Sequence, residues 1–254
     1  MNPVPQAVAF DTEAERVSAE AWAERLGLSV VDPGAFEGVL LTCAFEGLKL
    51  VDTRHPEWKP LFVDFTGGRM VHRVQQAGRK QLLGRAVGIK PGYLPRVLDA
   101  TAGLGQDAFV LAVLGCEVLM IERHPLVAAV LEDAVGRARE DEKAGEAADR
   151  MHVHRGDARV LIPHLAADEA PDVVYLDPMF PERRKSAAVK KPMQLLQALL
   201  GHGDDAVSLL DAGLAAAGRR VVVKRPKGAE DLGGREPDIR YKGKTVRYDV
   251  YLCA

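Results

Sequence analysis

Cysteine is scarce in this chain: Cys43, Cys116 and Cys253 are spread through 254 positions. They form no CxxC pair and no metal-ligand spacing, so a disulfide scaffold is excluded and buried thiols in a reducing cytosol are expected. Long apolar runs are missing too. No stretch approaches the roughly 18 residues of a membrane span, and MNPVPQAVAFDTEAERVSAE at the start lacks the apolar core of a secretion signal. The expectation is a cytoplasmic protein with no membrane partner. Net charge is only −2, so contact with a polyanion must come from local clusters. His72, His124, His152, His154 and His164 show no spacing with acids or thiols that would hold a metal. No Ser/His/Asp or Cys/His arrangement stands out.

What the chain has is strand–helix alternation. Its length fits one large domain, or one domain with a smaller partner. Residues 1–68 read as a small N-terminal α+β unit. Thr12 to Leu26 predicts a helix, opened by Thr12 and Glu15 as a capping box and closed by Gly27, with Val17, Ala21 and Trp22 on one face. Gly38 to Asp52 predicts a hairpin around Glu46-Gly47, and LFVDF (Leu61 to Phe65) a further strand. Residues 69–96 form a basic connecting segment. From Val97 to the end, short apolar strands alternate with helices: VLDAT, then EVLMIE, RMHVHRGD, VVYLDP and RRVVVKRP. Continuous apolar strands in that rhythm predict a parallel, doubly wound, Rossmann-like α/β sheet. REDEKAGEAADR (Arg139 to Arg150) reads as a solvated helix end and loop. The tail KTVRYDVYLC (Lys244 to Cys253) reads as a late antiparallel edge strand.

LDATAGLGQDAF (Leu98 to Phe109) places Gly103 and Gly105 between the first core strand and its helix. Glycines there allow a tight turn and close backbone approach to a ligand at the strand's carboxyl end. With Ala108 they satisfy the dinucleotide fingerprint, yet the same loop suits S-adenosylmethionine, and a plain tight turn is a third reading. Asp99 favours the methyl donor, because an acid before the turn can meet the donor's ammonium group. Glu122, followed by Arg123, ends the second strand and can accept from ribose hydroxyls of either ligand. Gly156-Asp157 ends the third and can meet an adenine edge, or Asp157 can simply cap the next helix.

VVYLDPMFP ends the fourth strand over the same place. An exocyclic amine of a base is a poor nucleophile, because its lone pair is delocalised into the ring. The Asp177 carboxylate and the Pro178 carbonyl can accept its two N–H groups and favour the pyramidal nitrogen of the transition state. Phe180 can stack on a base taken out of its own stack. Met179 departs from the Pro-Pro-aromatic pattern common in amino-methyltransferases. A proline-stiffened strand exit is the plainer reading of the same residues.

Three basic stretches surround this loop. Residues 69–96 hold seven Arg/Lys, Arg73, Arg79 and Lys80 among them, and no acid. Arg183, Arg184, Lys185, Lys190 and Lys191 follow DPMFP, and Lys224 and Arg225 follow the fifth core strand. Together they suit phosphate contacts, although a charge run is most often a solvated face. Basic stretches alone leave RNA and DNA equally open.

LDATAGLGQDAFVLAVLGCEV, IERHP, VVYLDPMFP, KSAAVKK and RVVVKRP, with FVDFTGGRMVHR and AVGIKPGYLP upstream, resemble the RsmJ family of bacterial 16S ribosomal RNA (guanine-1516-N2) methyltransferases. The resemblance covers most of the chain and accounts for Met179, which the family carries. It implies S-adenosylmethionine as cofactor, with contacts on Gln106, Asp107, Glu122, Arg123, Gly156, Asp157 and Asp177, and 16S ribosomal RNA or the small subunit as partner. Gln106 stands where a basic residue is expected, and Gly156-Asp157 where small hydroxyl residues also occur. The rival readings are a nicotinamide-dependent oxidoreductase, a non-catalytic RNA-binding assembly protein, and a DNA adenine-N6 methyltransferase.

Overall fold

A computed structural model describes residues 4–68, 70, 82–165, 170–178, 195–196, 199 and 205–253. Two sheets are present. The first has the order β1-β2-β3-β4, from Gln6–Phe10, Val39–Ala44, Gly47–Asp52 and Leu61–Phe62. β1, which the sequence did not announce, pairs in parallel with β2, and α1 (Arg16–Leu26) makes the crossover. Thr12 and Glu15 do form a capping box, on a 3-10 turn preceding α1, and Gly27 closes the helix in the left-handed conformation. The buried face of α1 is Ala19 and Ala23, whereas Val17 is 75% exposed. The hairpin turns on Phe45-Glu46, since Ala44 pairs with Gly47. Strand pairing in LFVDF stops after Phe62.

The second sheet has seven strands. They are β5 (Val97–Asp99), β6 (Val118–Glu122), β7 (Met151–Arg155), β8 (Val173–Leu176), β9 (Arg220–Pro226), β10 (Ile239–Lys242) and β11 (Val246–Leu252), in the order β10-β11-β9-β8-β5-β6-β7. β7, β6, β5, β8 and β9 are mutually parallel. β11 runs antiparallel to β9, and β10 antiparallel to β11, so the tail strand is not the edge: β10 lies outside it. β10 was invisible as a strand because Ile239-Arg-Tyr-Lys is polar and no residue of it is buried.

The helices are α2 (Leu82–Val87), α3 (Gln106–Val113), α4 (Pro125–Arg139), α5 (Gly145–Asp149), α6 (Ala158–Leu161) and α7 (Ala206–Ala216). α5 corrects the expectation of a solvated loop, for Ala144, Ala147 and Ala148 of that polar run are buried. The two faces of the seven-stranded sheet follow from side-chain alternation. Tyr175 of β8 and Val222 of β9 point into the larger core, with α2, α3 and α4. Val174, Val221 and Val223 point into the second core, with α7. The four-stranded sheet packs on α4. The Leu48 amide donates to Asp133 (3.1 Å), Arg137 donates to the Val63 carbonyl (2.6 Å), and Leu41, Leu50 and Leu131 share one core.

Among the described residues no helix is long and apolar enough to cross a membrane, and no group of three or more acids, histidines or cysteines could hold a metal.

Candidate active site

β5 lies between β6 and β8, so the chain departs from it in both directions, and the carboxyl ends of these strands open a crevice there. The loop 99–105 crosses it, tied to both neighbours. The Ala100 amide donates to the Tyr175 carbonyl (3.0 Å), the Ala102 amide to the Ile121 carbonyl (3.1 Å), and the Asp177 amide to Thr101 Oγ1 (2.6 Å). The two glycines serve different purposes. At Gly103, φ is +52° and a Cβ would meet only the Thr101 carbonyl oxygen, at 3.9 Å, so this is the side a ligand can approach. At Gly105, φ is +66° and a Cβ would lie 2.6 Å from Leu131 Cδ1 and 3.1 Å from Phe65 Cζ. Close packing of the loop onto the core, rather than ligand approach, requires that glycine.

Asp99 is 3% exposed. Burial pushes its carboxyl up to about 8; the Thr101 N–H works against that, and Asp107 and Asp177 add to it. Lys224 also pulls it down, yet burial outweighs that charge, and a ligand ammonium would add the positive charge that favours the ionised form. Glu122, 4% exposed, receives the Gly103 amide (2.9 Å) and the His124 amide (2.7 Å) on its two oxygens. Burial nevertheless raises its pKa. Both acids are oriented and under-neutralised, which fits a cationic nucleoside carrying hydroxyl donors. Arg123 is turned to Asp205 at the start of α7. The Gly156 amide donates to the Glu122 carbonyl (2.9 Å), which joins the third strand end to the second. Asp157 does cap α6, through the Arg159 amide (2.9 Å), and its bond from the Arg159 guanidinium lowers its pKa.

Register brings the rest together. Leu176 pairs with Val223, so Asp177 and Lys224 leave their strands side by side on one face. Lys224 Nζ donates to Asp177 Oδ2 (2.6 Å) and to Asp107 Oδ2 (2.8 Å). The fully buried Tyr175 hydroxyl donates to the same Asp107 oxygen (2.7 Å). Burial disfavours the Lys224 charge, but the two carboxylates outweigh it and hold its pKa above the ordinary lysine value. Lys224 is therefore the internal counter-ion of this cluster, not an outward phosphate contact. The phosphate reading of Arg225 is corrected as well: it is 7% exposed on the opposite face and donates to the Glu230 carbonyl (2.7 Å). Gln106 is exposed at the first turn of α3, and Pro178 is buried beyond Asp177. Phe180, Arg73, Arg79, Lys80, Arg183, Arg184, Lys185, Lys190 and Lys191 lie outside the described residues. Sequence reasoning missed Tyr175 and Thr101. The only sign of Tyr175 was a hydroxyl in an otherwise apolar buried strand.

A family model described as SAM-dependent methyltransferase (SAM_MT) matches residues 21–253. The chain is 46% identical over 257 residues to "Ribosomal RNA small subunit methyltransferase J" of Pseudomonas fluorescens, covering 99% of this chain and 97% of that one. It is 45% identical over 253 residues to the protein of the same name in Thioalkalivibrio sulfidiphilus, covering 99% of each. Among solved structures, the SAM-dependent methyltransferase NGO1261 from Neisseria gonorrhoeae superposes with a TM-score of 0.75 at 35% identity, covering 98% of this chain and 96% of that one.

Proposed function

The chain belongs to the ribosomal RNA small subunit methyltransferase J family of SAM-dependent methyltransferases, and on that premise we propose that it methylates the N2 amine of a guanine in small-subunit ribosomal RNA. The observation that carries this reading is the Asp177–Lys224 pair beside the glycine loop. It supports an amine acceptor: the Asp177 side chain, 40% exposed, is at once fixed by Lys224 and open to a substrate.

S-adenosylmethionine supplies an electrophilic methyl group on a sulfonium. Asp99 meets its ammonium, Gly103 and the first turn of α3 at Gln106 border it, Glu122 takes the ribose hydroxyls, and Asp157 the adenine edge. Gly156 and Arg123 set the ends of the strands that carry those acids. Asp177 and the Pro178 carbonyl accept the two N–H bonds of the amine, which localises the nitrogen lone pair and aligns it for attack. Positive charge that develops on the nitrogen is offset by Asp177, and the surplus proton leaves towards the same carboxylate. Lys224 fixes Asp177 in place through their 2.6 Å ion pair without touching the substrate, so it is a positioning residue. Phe180 stacks on the base, and the basic residues beyond it contact phosphates of the RNA.

A nicotinamide oxidoreductase has no use for Asp177-Pro178, and the family match removes that rival. Labelled methyl transfer to small subunits lacking the modification, followed by nucleoside mass spectrometry, tests the reading. N2-methylguanosine at one site is expected, with a rate about 10²–10³-fold lower in Asp177→Ala, the cost of removing one transition-state acceptor. N6-methyladenosine, or no product on subunits or free RNA, would sink it.

A further inference from the structure

A second pocket lies at the opposite, amino-terminal edge of the seven-stranded sheet. Its volume is about 290 Å³, near the lower end of ligand sites (roughly 300–1,000 Å³) and suited to a phosphate with its sugar. Arg85 at the end of α2, Lys90 in the turn beyond it, and Arg219 and Arg220 entering β9 line it, with the rings of Tyr93 and Tyr241. Lys90 and Arg219 lie over Tyr93, 5.7 and 4.6 Å from the ring centre, and Arg85 over Tyr241 at 4.9 Å. No carboxylate lines the pocket. Arg219 reaches Asp172 at 3.4 Å, but Arg85, Lys90 and Arg220 pair with no acid among the described residues.

Four cations gathered around one space repel each other, and that arrangement is stabilised when an anion enters. Guanidinium groups stacked on rings are held rigid, with their N–H edges directed for phosphate oxygens. Arg220 and Lys224 share a face of β9 four residues apart, so the pocket lies about 13 Å along the strand from the methyl-transfer site. We infer that this pocket is a second RNA contact, which grips backbone phosphates of the substrate strand away from the target base. This rests on the ribosomal RNA reading above. It gives a role to the described part of the basic segment 69–96, which the methyl-transfer site does not use.

The test is the Arg85→Gln/Lys90→Gln double variant. Both side chains are exposed. Arg220 is left intact because it also donates to the Ala86 carbonyl at the end of α2 (3.3 Å). Affinity for a fluorescein-labelled small-subunit RNA fragment is measured by anisotropy across a potassium chloride series, beside kcat and KM on subunits. Roughly ten-fold weaker RNA binding is expected, with a log–log salt slope smaller by about 1.4 for two lost phosphate contacts. KM should rise, with kcat and donor affinity unchanged. Unaltered RNA affinity and salt slope would overturn the inference. So would inorganic pyrophosphate raising the Tm of the parent protein alone while RNA binding stayed equal, because the pocket would then hold a free anion. If the double variant loses RNA affinity but the parent protein transfers no methyl group to subunits, the second contact stands and the proposed reaction fails.

Discussion

At Lys224 one ammonium answers two carboxylates, and removing it takes that ion pair from both. Lys224→Met removes the 2.8 Å ion pair of the buried Asp107, at a cost of about 3–5 kcal/mol, as for other broken buried pairs. Chemical denaturation should show that loss. Lys224→Arg should recover most of the stability but less of kcat, because a planar fork cannot keep both short contacts. Asp99 makes a second, pH-dependent prediction. Its folded-state carboxyl holds a proton to about 8, against 3.8 in the unfolded chain. Between those values the unfolded state binds fewer protons, so this group's contribution to stability falls as pH rises. The Tm advantage of Asp99→Asn over the parent should therefore grow from pH 5 to 8 and level off above. A donor ammonium favours the ionised form, so calorimetry in buffers of different ionisation enthalpy should detect proton release on S-adenosylmethionine binding near pH 7.5. Absence of proton release would separate Asp99 from the ammonium. At this scale, the acids at the strand ends were legible in the sequence because each closes an apolar run. The role of Lys224 was not: its partners lie 117 and 47 residues away, and it takes the pairing of β8 with both β9 and β5 to bring them together.

The loop between β5 and α3 separates two uses of glycine that share one motif. Gly105→Ala sets a Cβ into Leu131 at a positive φ and should lower stability by roughly 2–5 kcal/mol, the sum of backbone strain and overpacking. Gly103→Ala meets only the backbone cost, about 1–2 kcal/mol, but intrudes on the ligand side. Thermal melts with and without S-adenosylhomocysteine distinguish them: Gly105→Ala melts early in both, while Gly103→Ala loses the ligand-induced rise. Equal behaviour of the two would refute the division. β5, β6, β8 and β9 of the parallel sheet were readable because they are largely buried and written in apolar residues. β1 and β10 were not, since short pieces at sheet edges are specified by the strand they pair with more than by their own pattern. α5 was hidden for a related reason: its buried face is alanine, set among charges that dominate the composition of Arg139 to Arg150.

The four-stranded and seven-stranded sheets share α4 and one apolar core, so the molecule should unfold as a unit. Scanning calorimetry is expected to show a single transition with equal calorimetric and van't Hoff enthalpies. Two resolved transitions would mean that the docking of β3 on α4 is weak. The sequence marked where the grammar changes near Val97, but not that the segment before it is clamped onto a helix 30 residues further on, because docking between layers leaves no periodic trace. The same clamp sets an order of events during synthesis. β1 to β4 leave the ribosome about 60 residues before α4 begins, which at cellular elongation rates is on the order of ten seconds. For that interval α1 is in place over β1 and β2, but the β3 part of the face, around Leu50, lacks the helix that later packs on it, and a nascent-chain chaperone has its window there.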